Sequence, residues 1–100
     1  MSRSLEAEQH LISCALIEDD RIPALLELPE DWFSNNAHKL IIRTMRQLVA
    51  QNLGADMFAI ADELERTRQL EMVGGMAYIT QLADDLPNLA YWDSYKNSLF

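Results

Sequence analysis

Glu6, His10 and Cys14 stand four residues apart, and all three side-chain types can ligate a divalent transition metal. On a helix that spacing places them along one side. Successive i, i+4 steps nevertheless drift around the axis, and no second cluster supplies a fourth ligand. A solvated His10 and a small buried Cys14 are therefore the plainer expectation, with no metal site. His38 has the chemistry of a general base, but no serine or cysteine nucleophile and no carboxylate at triad spacing accompanies it. It follows Asn35-Asn36-Ala37, a capping sequence, which suits a structural place at a helix start. The acidic side chains are scattered or gathered at helix ends, and none pairs into an acid/base couple. A phosphate-cradling loop needs several glycines ahead of a Gly-Lys-Ser/Thr step. Gly54, Gly74 and Gly75 are the glycines present, and no such step occurs. A Walker-type nucleotide site is excluded, and Gly74-Gly75 reads as a turn between helices.

Two groups of residues could instead make surface contacts. Lys39, Arg43 and Arg46 concentrate three of the eight basic residues on one helix face. The ordinary reading is a solvated face paired with neighbouring acids; the functional one is a contact for an acidic partner, including a second copy of this chain. Tyr91, Trp92, Tyr95 and Phe100 lie on the last predicted helix. Trp92 is expected to dock on the bundle with the tyrosines at its rim, or some of the group to face a partner as anchors. No cap, glycine or polar tail follows Asn97-Ser98-Leu99-Phe100, which predicts that the natural chain continues.

These residues must be held by a small scaffold. One hundred residues with sixteen acidic and eight basic side chains carry a net charge of −8, and 49% of the chain is hydrophobic. That length supports one domain with one core and leaves no room for a large substrate cavity. The acidity argues against non-specific binding to DNA or anionic membrane. One cysteine excludes an internal disulfide framework and fits a reducing, intracellular setting. No apolar run approaches the length of a membrane span, and Met1 to Glu6 lacks the apolar stretch of a secretory signal.

Fifteen Leu, eleven Ala and five Met against seven Ile, two Val and three Thr favour helices. Ser4 caps a first helix whose Leu5, Ile12, Ala15 and Leu16 form an apolar face, with Glu6 and Glu8 favoured near its N-terminus. Glu18-Asp19-Asp20 ends it. Pro23 to Leu28 forms a short second helix closed by Pro29, and Trp32 and Phe33 plug the core. The spacing predicts a long helix over Ala37 to Gln51, with Leu40, Ile41, Met45, Leu48 and Val49 on one face. Gly54 marks the next turn, and Asp56 caps a helix from Met57 to Arg66 through Ile60, Ala61 and Leu64. A fifth runs from Met76 to Asp85 through Ile79, Leu82 and Ala83. A last one begins at Pro87-Asn88 and carries Leu89, Trp92 and Leu99. The expectation is an all-α bundle of six short helices.

Four strings in register go further. Ser4 to Ile17, with Glu6-Ala7-Glu8-Gln9 at its head, resembles the opening of the N-terminal domain of the bacterial replicative DNA helicase, the DnaB family. Asp31-Trp32-Phe33 followed by Ala37-His38-Lys39-Leu40-Ile41 is similar to that family's Phe…His-x-x-Ile stretch. Asp56 to Leu64 resembles its Asp-x-x-Thr-Leu-Ala-Glu-x-Leu helix. Val73-Gly74-Gly75-Met76-Ala77-Tyr78-Ile79 resembles its Val-Gly-Gly-x-x-Tyr-Leu signature. The likeness spans essentially the whole chain. Ser13 and Cys14 stand where the family commonly has glycine, Leu53-Gly54-Ala55-Asp56 replaces its Pro-x-Asp approach, and the usual extension before the first helix is almost absent. Such departures fit a divergent member of phage or plasmid type.

The resemblance implies a non-catalytic, cytoplasmic collar domain, cut near the start of a helical hairpin. In the family this head builds the N-terminal tier of a hexameric ring, often a trimer of dimers, and takes part in docking primase and helicase loader. ATP, magnesium and the DNA-gripping loops belong to a separate motor domain. Leu89, Trp92 and Tyr95 are the candidate contacts with a sister domain, and Lys39, Arg43 and Arg46 come second. Two alternatives belong to other classes: a free-standing adaptor that copies the helicase head and competes for its partners, and a small metal-dependent enzyme built on Glu6, His10, Cys14 and His38.

Overall fold

A computed structural model describes residues 5–85 and 87–99. The described residues form six α-helices, with a single 3₁₀ turn in every connection but that between α3 and α4, and contain no strand. In chain order the helices are α1 (Leu5–Ile17), α2 (Ile22–Leu26), α3 (Asn36–Ala50), α4 (Met57–Arg66), α5 (Gly75–Asp84) and α6 (Trp92–Asn97). The 3₁₀ turns cover Asp19–Arg21, Glu30–Trp32, Glu71–Val73 and Leu89–Tyr91. The cap expected at Ser4 lies outside the described residues. Among them, no helix is long and apolar enough to cross a membrane.

α1 is the axis of the fold. It packs against α2, α3, α5 and α6, so it buries nearly its whole circumference rather than one face. Leu11, Ile12, Cys14 and Ala15 are fully buried, and so are the polar Glu8 and Ser13. The apolar face expected for this helix therefore needs correcting: Leu5, at its free end, is 49% exposed, and Leu16 is half-buried. A helix enclosed on several sides shows little amphipathic signal. The small Ser13 faces α5, where its hydroxyl reaches the Leu82 carbonyl.

α3 begins one residue before the expected start, because the Asn35 side chain accepts the His38 amide proton at 3.1 Å. Ile41, Met45 and Leu48 are buried as expected, together with Ile42, while Leu40 is half-buried and Val49 is 43% exposed. α4 has the predicted bounds. Asp56 caps it by accepting from the Ala59 amide at 2.8 Å, and Ile60, Ala61 and Leu64 face the core. Phe33 is buried, whereas Trp32 is half-buried against the core edge. The second helix is shorter than expected, since its last turn tightens: the Glu27 amide donates to Pro23 and the Leu28 amide to Leu25. α6 likewise starts later, at Trp92, after a 3₁₀ turn capped by Asn88.

The connections that follow α3 and α4 close in the same way. At the end of α3, the Leu53 amide donates to Leu48 and the Asn52 amide to Val49; at the end of α4, Gln69 donates to Leu64 and Arg68 to Glu65. This paired pattern is the Schellman stop, and it requires a left-handed residue. Asn52 (φ 60°) and Arg68 (φ 61°) supply it. The turn-forming residue after α3 is thus Asn52 rather than Gly54, at which an added Cβ would meet nothing within 4 Å.

Candidate functional site

Three of the four strings singled out in the sequence meet at one buried polar network. Glu8 from α1, His38 from α3 and Tyr78 from α5 are brought together by helices whose apolar faces share one core. His38 Nδ1 lies 2.8 Å from Glu8 Oε1, and His38 Nε2 lies 2.6 Å from the Tyr78 hydroxyl. The Glu8 carboxylate also accepts from the Ser34 amide (2.9 Å), the Ser34 hydroxyl (2.7 Å) and the Asn35 amide (3.3 Å). Gln9 donates its side-chain amide to the Tyr78 oxygen at 3.1 Å.

Donor accounting assigns the protons. The hydrogen bonds that hold the Glu8 carboxyl below its ordinary range favour the ionised, acceptor-only form, so His38 donates from Nδ1. Nε2 of the neutral ring then accepts from the Tyr78 hydroxyl, whose oxygen accepts from Gln9. One neutral tautomer satisfies every atom in the chain of bonds. Burial alone pushes the Glu8 carboxyl up, but the hydrogen bonds from His38, Ser34 and Asn35 outweigh it and hold the group below the usual carboxylate range. Burial pushes the Tyr78 phenol above its ordinary value.

The Gly-Gly string serves this network. Gly74 has φ +101°, and a Cβ there would stand 2.8 Å from Tyr78 Cβ. The Gly74 amide donates to Glu71 and the Gly75 amide to Leu70, which closes the preceding turn and starts α5 with Tyr78 aimed at His38. Val73 anchors the same turn in the core. Glu6 is exposed at the start of α1, and Ala7 is buried beside Glu8.

A second polar cluster joins α1 to the end of α5. His10 Nδ1 lies 2.8 Å from Asp85 Oδ2, and the Ser13 hydroxyl donates to the Leu82 carbonyl at 2.6 Å. Serine, histidine and aspartate are thus neighbours without triad geometry. Ser13 is fully buried and spends its proton on a backbone carbonyl, and the aspartate rather than the imidazole is its other neighbour, at 3.5 Å. His10 is half-buried under the Tyr95 ring, with centroids 4.8 Å apart, so the expected solvated histidine is instead a docking point for α6. Cys14 is buried, and that burial pushes its thiol up. No three His, Cys, Asp or Glu side chains gather within metal-holding reach among the described residues.

The candidate contact residues are drawn partly inward. Arg43 donates to Glu30 at 2.9 Å, and Arg46 donates to the carbonyls of Leu26 and Leu28 at the end of α2. Lys39 is half-buried on the same helix. Leu89, Trp92 and Tyr95 are each half-buried; the Arg21 guanidinium lies 5.5 Å from the Trp92 ring, and the Tyr95 hydroxyl accepts from the Asn88 amide. Tyr91 is the aromatic of this segment left 56% exposed, while Leu99 is fully buried. Phe100 lies outside the described residues.

Sequence reasoning located Glu8, Gln9, His38 and Tyr78 only as members of separate strings. Contacts across 30 and 40 residues joined them. A glutamate in the first turn of a helix gives no local sign that it will be buried.

Six packed helices tied together by buried polar networks define a small all-helical domain. The profile of the DnaB-like helicase N terminal domain family matches residues 1–99. The replicative DNA helicase DnaB of Rhodothermus marinus is 34% identical over 89 residues, covering 88% of this chain and 10% of that protein. The Geobacillus stearothermophilus protein of the same name is 30% identical over 95 residues, covering 93% of this chain and 21% of its own length. The crystal structure of the N-terminal domain of DnaB helicase from Mycobacterium tuberculosis superposes with a TM-score of 0.86 at 28% identity, covering 97% of this chain and 68% of that one. The chain belongs to the DnaB-like helicase N-terminal domain family, and it spans at most about one fifth of the length of these full-length relatives.

Proposed function

We propose that this chain is the non-catalytic N-terminal collar domain of a replicative DNA helicase, acting in ring assembly and in docking primase and helicase loader. One observation carries the reading: a chain alike from end to end to such a domain turns its polar machinery inward, where no buried side-chain nitrogen or oxygen among the described residues lacks a partner. Polar clusters satisfied in this way hold a scaffold together. Function then falls to the exposed surface, which is acidic with apolar patches and therefore suited to proteins rather than nucleic acid.

In this reading the segment from Leu89 through Tyr95 contacts a sister domain, with Trp92 and Tyr95 offering their exposed edges beside Tyr91. The face carrying Lys39, Arg43 and Arg46 is the secondary contact. The chain is one domain that leads towards the family's helical hairpin, and the full-length protein is a cytoplasmic, ATP-dependent helicase whose ATP and magnesium bind elsewhere. Sedimentation of the chain alone, and with its cognate primase and loader, tests the reading. Self-association and a complex with either partner are expected. Inert monomers at high concentration with every partner would remove the scaffold role.

A further inference from the structure

One surface feature plays no part in the networks above. Between α2 and the loop joining α3 to α4 runs an apolar groove of about 300 Å³. Ile22 and Ala55 form its buried floor. Pro23, Leu26, Val49 and Leu53 line its sides, and Val49 and Leu53 are 43% and 53% exposed. Two exposed large apolar side chains flanking one groove are unlike the scattered single leucines of an ordinary surface.

The rim is acidic. Asp19 lines the groove itself, and exposed Glu18, Asp20, Glu27 and Asp56 adjoin its lining residues in the chain. The basic side chains nearby are already engaged. Arg21 donates to Glu18 at 2.8 Å and lies over Trp92, while Arg46 caps the α2 carbonyls beside Glu30. An apolar trough lined by Asp19 on a chain of net charge −8 complements a helix with an apolar stripe and lysine or arginine flanks. A second copy of this chain, with net charge −8, would bring like charge to that rim.

We infer that this groove receives one basic amphipathic helix of a partner protein. The inference deepens the docking role proposed above and rests on it. Apolar anchors of the incoming helix lie between Val49 and Leu53, and its basic residues meet Asp19 and its neighbours. None of the residues lining the groove belongs to the Leu89–Tyr95 segment.

Titration of the ¹⁵N-labelled chain with a synthetic leucine/lysine amphipathic peptide, and in parallel with its leucine/glutamate counterpart, tests the groove. The lysine peptide should shift the amide signals of Ile22, Val49, Leu53 and Ala55, and the glutamate peptide should not. Leu53→Lys should weaken that binding at least about tenfold, whereas Met72→Lys, the same charge change at another exposed apolar side chain, should alter it by less than about twofold. Shifts spread over the acidic surface, or equal weakening by both variants, would reduce the effect to charge attraction and overturn the inference. Cognate primase and loader are then measured against wild type and Leu53→Lys. Selective loss of one partner supports the groove. Unchanged binding of both overturns the groove and leaves the docking role standing. If neither partner binds wild type while the lysine peptide still maps to the groove, the docking role fails instead. Self-association abolished by Leu53→Lys would make the groove a contact between copies and overturn the inference.

Discussion

Glu8 is the residue on which the polar interior turns, since it gathers donors from Ser34, Asn35 and His38. Its lowered pKa fixes the sign of its pH dependence. A carboxyl depressed in the folded state contributes stability that is present above its unfolded pKa and is lost as pH falls through the folded one. Thermal unfolding followed from pH 7 down should therefore show stability declining once pH drops below about 4.3, the ordinary glutamate value. Glu8→Gln should remove about 2–3 kcal/mol at neutral pH and flatten that decline. An unchanged acid limb in the variant would mean that other carboxylates dominate. The two glycines make a paired test at the same scale. Gly74→Ala combines a left-handed backbone with a 2.8 Å approach to Tyr78, while the nearest atoms at Gly75 are the Glu71 carboxylate oxygens at 3.8 and 3.9 Å. Chemical denaturation should show a loss of about 2 kcal/mol for Gly74→Ala and about 1 kcal/mol for Gly75→Ala.

Single helices show how far the sequence could be read and where it stopped. α4 was legible throughout, because Asp56, the Ile60-Ala61-Leu64 spacing and the charged outer face all point to one helix docked on one side. α1 was legible as a helix but not as a packed object. Four neighbours enclose it, and periodicity reports only one buried face. The stop after α3 was placed at the glycine, yet the left-handed turn falls on Asn52, whose short polar side chain tolerates it. Arg68 does the same without that tolerance, which yields a prediction. Arg68→Gly should raise stability by about 0.5–1 kcal/mol in equilibrium unfolding, by relieving the left-handed strain while keeping the bonds of Gln69 to Leu64 and of residue 68 to Glu65. The site was half legible: the strings marked Glu8, His38 and Tyr78, but the pairing that gives them meaning crosses three helices. Partner surfaces were less legible still, because a helix face is written alike whether it meets a core, an acid such as Glu30 or another protein.

The whole molecule is an acidic head with a radius of gyration of 12.4 Å, close to the ~13 Å of a compact chain of this length. Its charge of −8 is spread over a surface on which Arg21, Arg43 and Arg66 already pair with acids. Such a surface repels a phosphate backbone. In a gel-shift assay at about 0.15 M salt the chain should leave duplex DNA unretarded, and retardation would place a DNA contact on this head. Cys14 offers a different view of the same body. The chain has one thiol, and it lies at zero exposure in the helix that four others enclose. A thiol reagent can reach it only when those helices part. Cys14 is therefore a clock built into the protein: its modification rate counts how often the head comes open, and any bound partner that steadies the bundle will slow it.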